Sequence, residues 1–304
     1  MVGTPPEALV SLGGFESFVF KIPDRATIVK ATWGERRTPG QIGAELHFVN
    51  HLADHGAPVC RALPLADGAL LGTVAVEGGE FHVSAFAEAP GGVMPREEMT
   101  LAYFEQVGEA VGLLHRLSAA YRGPPQGMSR PDWRSEYAEM LAWSTDNPVI
   151  HAHFSALLDQ IGGLPRPVGS FGAMHGDLHQ RNIHWHDGGL SIFDFDDMLD
   201  FWFVSDLAII LYYALLQPIW DTRQADLLRI YPALMSGYAR QHTLPDGCLE
   251  EALPLFLFLR EHTLRAVVRR SVPPGKGVGI WKTFVADSTE RILSGQPALG
   301  LQLP

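Results

Sequence analysis

A β-hairpin predicted between Asn182 and Asp194 constrains the fold of this chain more than any other feature of its sequence. Residues 183–186 and 190–193 have the composition of two strands, and Asp187-Gly188-Gly189 between them is a strong turn signal. Because the two ends of a hairpin lie side by side, Asn182 at its entrance and Asp194 at its exit are expected to be neighbours.

The residues around the open end of this hairpin carry oxygen atoms that suit a hard cation. The Asn182 amide and the carboxylates of Asp194 and Asp196 are ligands of the kind Mg²⁺ accepts, and Asp177 precedes Asn182 by five residues. Phosphoryl transfer from a nucleotide needs such a set, because one carboxylate serves as base and the metal neutralises the phosphates. For Asp196, a second metal contact and a solvated carboxylate both stay open.

Composition and charge are those of a soluble globular protein. The chain has 304 residues, enough for two lobes, with 46% hydrophobic and 19% charged residues. Its formal net charge of −11 argues against a nucleic-acid partner and favours neutral or cationic substrates.

Nothing in the sequence predicts export or membrane insertion. Cys60 and Cys248 are far apart and are expected to be free thiols in a reducing compartment. No signal peptide is recognisable, and the most apolar stretch, residues 207–216, is too short to span a bilayer. We therefore expect a cytoplasmic protein without a membrane partner.

The order of predicted elements indicates an α+β fold with two lobes. Residues 1–88 form a small β-rich N-terminal lobe, with a helix over residues 39–55 and strands over residues 15–22, 26–32, 69–76 and 80–87. Residues 89–304 form a larger α-helical C-terminal lobe that carries the hairpin, with helices over residues 97–120, 132–146, 149–161, 204–217, 223–241, 248–270 and 279–294.

Two charged residues of the N-terminal lobe lie in apolar surroundings. Lys30 sits in a β-branched strand, where it is either an edge-strand charge or a phosphate ligand. Glu45 falls on the apolar stripe of the helix over residues 39–55, and a buried carboxylate needs a partner. Lys30 is the obvious cation for Glu45, and a partly exposed Glu45 at the edge of the stripe is the alternative.

The pattern H-x-D-x-x-x-x-N followed by Asp-Phe resembles the catalytic and metal loops of kinases. With Gly176 after the histidine, the chain resembles the aminoglycoside phosphotransferase and choline kinase group, which has a bilobal protein-kinase-like fold. The resemblance covers nearly the whole chain. It implies that Asp177 is the catalytic base and that Asn182 and Asp194 bind Mg²⁺.

The same resemblance extends to the nucleotide-binding residues. It implies that Lys30, paired with Glu45, contacts the phosphates of ATP or GTP. Gly13, Gly14 and Ser17 are candidates for covering the phosphates, although residues 12–17 do not fit the G-x-G-x-x-G pattern.

Other polar residues are expected to be structural. The resemblance implies that His175 forms hydrogen bonds near the metal loop and that Asp206 supports the backbone of the catalytic loop. His47, His51 and His55 line one side of a helix opposite its apolar stripe and are expected to face solvent. For Arg260 and the other arginines of the helix over residues 248–270, ion pairs or a solvated face are favoured over binding of an anionic substrate.

These observations predict a kinase that phosphorylates a hydroxyl of a small molecule, such as an aminoglycoside, an amino alcohol, homoserine or a sugar. Two alternatives have the same motifs: a stress-response Ser/Thr protein kinase of the same fold, and a non-catalytic nucleotide-binding regulator. A monomer or a homodimer is expected. We expect the acceptor to bind near Asp197, Asp200 and the helix that begins at Asp132.

Overall fold

The computed structural model describes residues 3–14, 17–216, 223–271 and 280–302, and internal contacts divide the chain into two compact units. The first unit combines residues 1–94, 120–130 and 181–198, and the second combines residues 95–119, 131–180 and 199–304. The predicted lobes, residues 1–88 and 89–304, are continuous stretches of chain and stay a prediction.

The strands within the described ranges are β1 Val10–Gly13, β2 Ser17–Ile22, β3 Thr27–Trp33, β4 Ala62–Leu63, β5 Leu71–Val76, β6 Gly79–Ala87, β7 Gly92–Val93, β8 Phe171–Met174, β9 Ile183–His186, β10 Gly189–Ile192 and β11 Leu199–Trp202. The helices are α1 Pro39–Asp54, α2 Leu101–Ala120, α3 Trp133–Ala142, α4 Pro148–Gly162, α5 Val204–Leu216, α6 Arg223–Tyr238, α7 Cys248–Ser271 and α8 Ile280–Leu293. These bounds confirm the order of the elements that were predicted, whereas strands β1, β4, β7, β8 and β11 were not predicted. Phe15, Glu16, Gln217 and Gly279, which the predicted strands and helices included, lie outside the described residues.

The first unit is built on an antiparallel sheet that carries α1. Its strands pair in the order β1-β2-β3-β6-β4, and β5 also pairs with β6. Ile22, Val29 and Val83 form one apolar cluster within this unit, and Ile42, Leu46 and Ala62 form another. Strand β3 is paired on both edges, which excludes an edge-strand role for Lys30.

Local sequence signals define the ends of α1. The Thr38 side chain accepts a hydrogen bond from the backbone of Gln41, whose own side chain accepts one from Thr38, and Pro39 occupies the first helical position. Gly56 follows the helix with a φ of 82°, the left-handed conformation that ends many helices.

The predicted hairpin is formed by β9 and β10, which pair from Ile183–Ile192 to His186–Gly189. Asp187 and Gly188 both have positive φ, 46° and 78°, as the tightest hairpin turns require. The backbone amide of Phe193 donates to the Asn182 carbonyl at 3.1 Å, which extends the pairing beyond the strands. Asn182 and the residue before Asp194 are therefore direct neighbours.

The second unit is mostly helical. Helix α5 is apolar on nearly every side and almost entirely buried, as expected for a helix at the centre of a core, and it packs against α6 and α7. Strands β8 and β11 pair within the same unit and lead into the catalytic loop and into α5, respectively. No helix among the described residues combines the length and the apolar character needed to cross a membrane.

His47 and His51 of α1 do not face solvent as predicted. Nδ1 of His47 lies 2.7 Å from the Tyr121 hydroxyl, and the His51 ring packs on the Tyr121 ring at a centroid distance of 4.9 Å. His55 is exposed, with its ring beside that of His51. The prediction was wrong for His47 and His51, because residues 120–130 pack against the polar side of α1 within the first unit.

Candidate active site

Lys30 contacts residues 194–196, the predicted metal loop, which follows the hairpin. Its Nζ donates a hydrogen bond to Oδ1 of Asp194 at 3.1 Å and forms an ion pair with Oδ1 of Asp196, also at 3.1 Å. The Lys30 side chain is only 12% exposed. The structure thus brings a predicted phosphate ligand and a predicted metal ligand together across 164 residues of sequence.

Asp194 has an unusual backbone and an accessible side chain. Its φ of 66° is left-handed, which is uncommon for residues other than glycine and is typical of functional loops. The side chain is 52% exposed, so its oxygens are accessible, whereas Asn182 at the other end of the hairpin is buried. An amide oxygen and an exposed carboxylate suit a divalent cation such as Mg²⁺, so the donor set fits the predicted metal.

Asp196 is held by arginines that the sequence patterns did not single out. Arg36 donates to its Oδ2 at 3.2 Å, while Arg37 and Arg130 both donate to its backbone carbonyl. Burial raises the pKa of the Asp196 carboxyl, but Lys30 and these arginines outweigh burial and leave the pKa below its usual range. Asp196 is therefore a buried anion among cations rather than a solvated carboxylate.

Glu45 is buried in the apolar face of α1, which confirms the prediction from helical periodicity. Burial raises the pKa of its carboxyl, and the positive charge of Lys30 opposes that rise. Within the described part of the chain, however, the ion pairs of Lys30 are those with the two aspartates. Glu45 acts on Lys30 as a nearby charge, and its role in placing the lysine stays a prediction.

The predicted catalytic loop, residues 175–182, is supported by Asp206, which is completely buried at the start of α5. Its two carboxylate oxygens accept hydrogen bonds from the backbone amides of His175 at 3.1 Å and Gly176 at 3.0 Å. Nδ1 of His175 accepts a hydrogen bond from the backbone amide of Asp177 at 3.3 Å. The structure confirms that Asp206 supports the backbone on which Asp177 stands, and His175 adds a hydrogen bond within the same loop. Hydrogen bonding of His175 near the metal loop stays a prediction.

The Asp177 carboxylate lies among residues of the second unit that carry positive or polar groups. Arg260 of α7 donates to Oδ1, and Nε2 of His179 lies 3.4 Å from Oδ2. Arg260 also donates to the Tyr213 hydroxyl at 2.6 Å. Ion pairing was the favoured expectation for Arg260, but the sequence did not indicate that its partner is the predicted catalytic base.

The predicted phosphate-covering residues lie at the end of β1 and at the start of β2. Gly13 and Gly14 have positive φ, and a Cβ atom on Gly14 would lie 1.9 Å from the backbone carbonyl oxygen of Ser17. The Ser17 hydroxyl is 3.0 Å from that of Thr32. Phe15 and Glu16 lie outside the described residues, and contact of Gly13, Gly14 and Ser17 with phosphate stays a prediction.

Two of the three aspartates expected near the acceptor have protein partners. Asp197 forms an ion pair with Arg36 at 3.4 Å. The Asp132 carboxylate caps the first turn of α3 by accepting a hydrogen bond from the backbone amide of Arg134. Asp200 is exposed on β11. These contacts give Asp197 and Asp132 structural roles.

Comparisons with known proteins agree with this geometry. A model of the phosphotransferase enzyme family matches residues 8–241. Amicoumacin kinase of Bacillus subtilis (strain 168) is 27% identical over 256 residues, which cover 82% of this chain and 76% of that kinase. Homoserine kinase of Sinorhizobium medicae (strain WSM419) is 29% identical over 245 residues, which cover 76% of this chain and 69% of that kinase.

A solved structure of amicoumacin kinase in complex with AMP-PNP, Ca²⁺ and Ami has a TM-score of 0.89 and 25% sequence identity to this chain. The match covers 97% of this chain and 90% of that one. The predicted protein-kinase-like fold is confirmed, and so is the predicted enzyme class, a kinase acting on small-molecule hydroxyl groups. The family model matches well over half of the residues of this chain, so the chain belongs to the phosphotransferase enzyme family.

Proposed function

We propose that this protein transfers the γ-phosphoryl group of ATP to a hydroxyl of a small molecule of the kind its relatives phosphorylate. Amicoumacin is the first acceptor to test, because amicoumacin kinase matches the chain in both sequence and structure. Homoserine is the second, because a homoserine kinase is 29% identical over 245 residues.

The contact between Lys30 and Asp194 carries this proposal. A kinase has to hold the phosphates with a cation and the metal with a carboxylate, close enough for both to act on one nucleotide. The ammonium of Lys30 and the carboxylate of Asp194 are 3.1 Å apart, and the carboxylate is half exposed. An ammonium at this position is suited to phosphate oxygens, and Asp194 to the metal that accompanies them.

Asp177 acts as the general base in this proposal. The acceptor hydroxyl passes its proton to a carboxylate oxygen of Asp177 as its oxygen forms a bond to the γ-phosphorus. The bond from that phosphorus to the β–γ bridging oxygen breaks, and the bridging oxygen leaves with the electron pair on ADP. Asp206 and His175 contribute by fixing the loop backbone from which Asp177 extends.

Asn182 and Asp194 would hold a divalent cation, which we take to be Mg²⁺. When bound, such a cation neutralises charge on the phosphates and so favours their approach to a nucleophile. Asp196 is not needed as a ligand in this proposal, because its cationic neighbours already give it a structural role.

The test compares wild type with Asp177→Asn in the presence of ATP and Mg²⁺. Each of amicoumacin, homoserine, a panel of amino alcohols and sugars, and casein is offered as acceptor, and GTP replaces ATP in a parallel series. We expect phosphorylation of a small molecule by wild type and a loss of about 10²-fold or more in the variant, with little change in nucleotide affinity. Phosphorylation of casein alone, or an Asp177→Asn variant as active as wild type, would refute the proposal.

A further inference from the structure

Arg260 links helix α7 to the proposed catalytic base. One of its terminal nitrogens donates both to Oδ1 of Asp177 and to the Tyr213 hydroxyl, and its guanidinium lies over the Tyr213 ring at 4.8 Å from the centroid. The planar guanidinium is thus restrained by an ion pair, a hydrogen bond and a ring face at once.

These contacts differ from those of an ordinary surface ion pair. The side chains of Arg260 and Asp177 are 17% and 24% exposed, so solvent screens their attraction only in part. The pair also joins residues 83 positions apart, which connects the predicted catalytic loop to helix α7 of the second unit. Such a contact restricts the rotation of the Asp177 carboxylate.

From this geometry we infer that Arg260 is a positioning residue for the catalytic base, an inference that rests on the proposed function. A carboxylate oxygen has two lone pairs. Oδ1 of Asp177 can therefore accept the hydrogen bond from Arg260 and a second one from the hydroxyl of the substrate. Arg260 contributes by orienting the carboxylate, and orientation is a large component of catalysis between bound groups.

His179 takes part in the same arrangement. Burial lowers the pKa of His179, although the Asp177 charge opposes this, so the ring is neutral at neutral pH. Its Nε2 lies close to the second oxygen of Asp177, and its ring meets the edge of Tyr213 at a centroid distance of 5.0 Å. Arg260 and His179 thus lie at different oxygens of the base and limit its motion from two directions.

The experiment follows ADP release from ATP and Mg²⁺ with water as acceptor, so that it does not depend on the natural acceptor. The variants are Arg260→Ala and Arg260→Lys. Arg270→Ala is the matched control, because Arg270 lies on the same helix and packs over the Trp143 ring. Nucleotide affinity is measured for each variant by the shift in Tm on adding ATP and Mg²⁺.

We expect kcat to fall at least tenfold in Arg260→Ala with KM for ATP nearly unchanged, and Arg260→Lys to recover part of the loss. Millimolar guanidinium should restore activity to Arg260→Ala but not to Asp177→Asn, which a role limited to folding would not produce. Activity of Arg260→Ala equal to that of Arg270→Ala, or a loss that neither lysine nor guanidinium relieves, would overturn the inference alone. Asp177→Asn that releases ADP at the wild-type rate would overturn the role of Asp177 in the proposed function as well.

Discussion

Nζ of Lys30 lies 3.1 Å from Oδ1 of Asp196, and both side chains are almost completely removed from solvent, at 12% and 10% exposure. This contact joins the central strand β3 to the metal loop within the first unit. Kinases pair this lysine with a glutamate, and the sequence predicted that pairing with Glu45. Here the buried carboxylate in ion-pair contact is Asp196.

Asp196→Asn should therefore harm nucleotide use more than Glu45→Gln does. Removing one partner of a buried ion pair costs about 3–5 kcal/mol when the other charge is left uncompensated. Asp194 offsets part of this cost for Lys30, whereas burial already favours the neutral form of Glu45. We expect kcat/KM for ATP to fall at least about tenfold more in Asp196→Asn, one order of magnitude being about 1.4 kcal/mol. Asp197→Asn, two-fifths exposed, serves as control. A larger loss in Glu45→Gln would restore Glu45 as the main partner of Lys30.

Asp206→Asn should lower both stability and activity. Both carboxylate oxygens of Asp206 accept hydrogen bonds from backbone amides, one from His175 and one from Gly176. The asparagine side chain has only one acceptor oxygen, so its NH₂ group would face one of these two backbone N–H groups. A buried donor left without an acceptor costs about 1–3 kcal/mol, to be measured by urea unfolding. The exposed Asp159→Asn is the control, with an expected change within about 0.5 kcal/mol. Equal stability of the two variants would show that Asp206 does not support the loop.

The elements near the site were predictable because each has a local signal. The turn at Asp187-Gly188, the cap at Thr38 and the periodicity that buries Glu45 are all encoded within a few residues of sequence. Tight turns and amphipathic helices depend on short-range sterics and on which face is apolar, so these features can be inferred without the fold.

The partners of the charged residues were not predictable in the same way. Periodicity indicates that a side chain is buried, but it does not identify the distant group that meets it. Arg130 lies in a segment without regular structure, and Tyr121 in the same segment covers the histidines of α1. Nothing local marks these contacts, because they arise from packing of segments that are far apart in sequence.

Acid should destabilise the protein partly through His262. Burial lowers the pKa of His262 to about 3, with smaller effects of the same sign from His153 and Arg265. Between about pH 3 and about pH 6.5, His262 binds a proton in the unfolded chain but not in the folded chain. The contribution of His262 to stability is therefore complete above about pH 6.5 and is lost as pH falls, by up to about 1.4 kcal/mol per pH unit.

Urea unfolding between pH 5.0 and 7.5 measures this dependence. His262→Phe should flatten the acid side of the profile relative to wild type, because the ring stacks on Phe154 without a titratable group. His186→Phe, which removes a half-exposed histidine, should leave the slope unchanged. A wild-type slope in His262→Phe would contradict the assignment.

Metal-dependent nucleotide binding should require Asp194. We expect ATP with Mg²⁺ to raise the Tm of wild type more than ATP with a chelator does, because a ligand that binds the folded state stabilises it by mass action. Asp194→Ala should erase this difference.

The matched control is Asp187→Ala. Asp187 also has positive φ, lies at the opposite end of the same hairpin, and has a side chain that is 90% exposed. Both substitutions replace an aspartate in a left-handed conformation, so strain affects both Tm values, whereas only Asp194 is in contact with Lys30. An equal response to metal in the two variants would show that Asp194 is not a metal ligand.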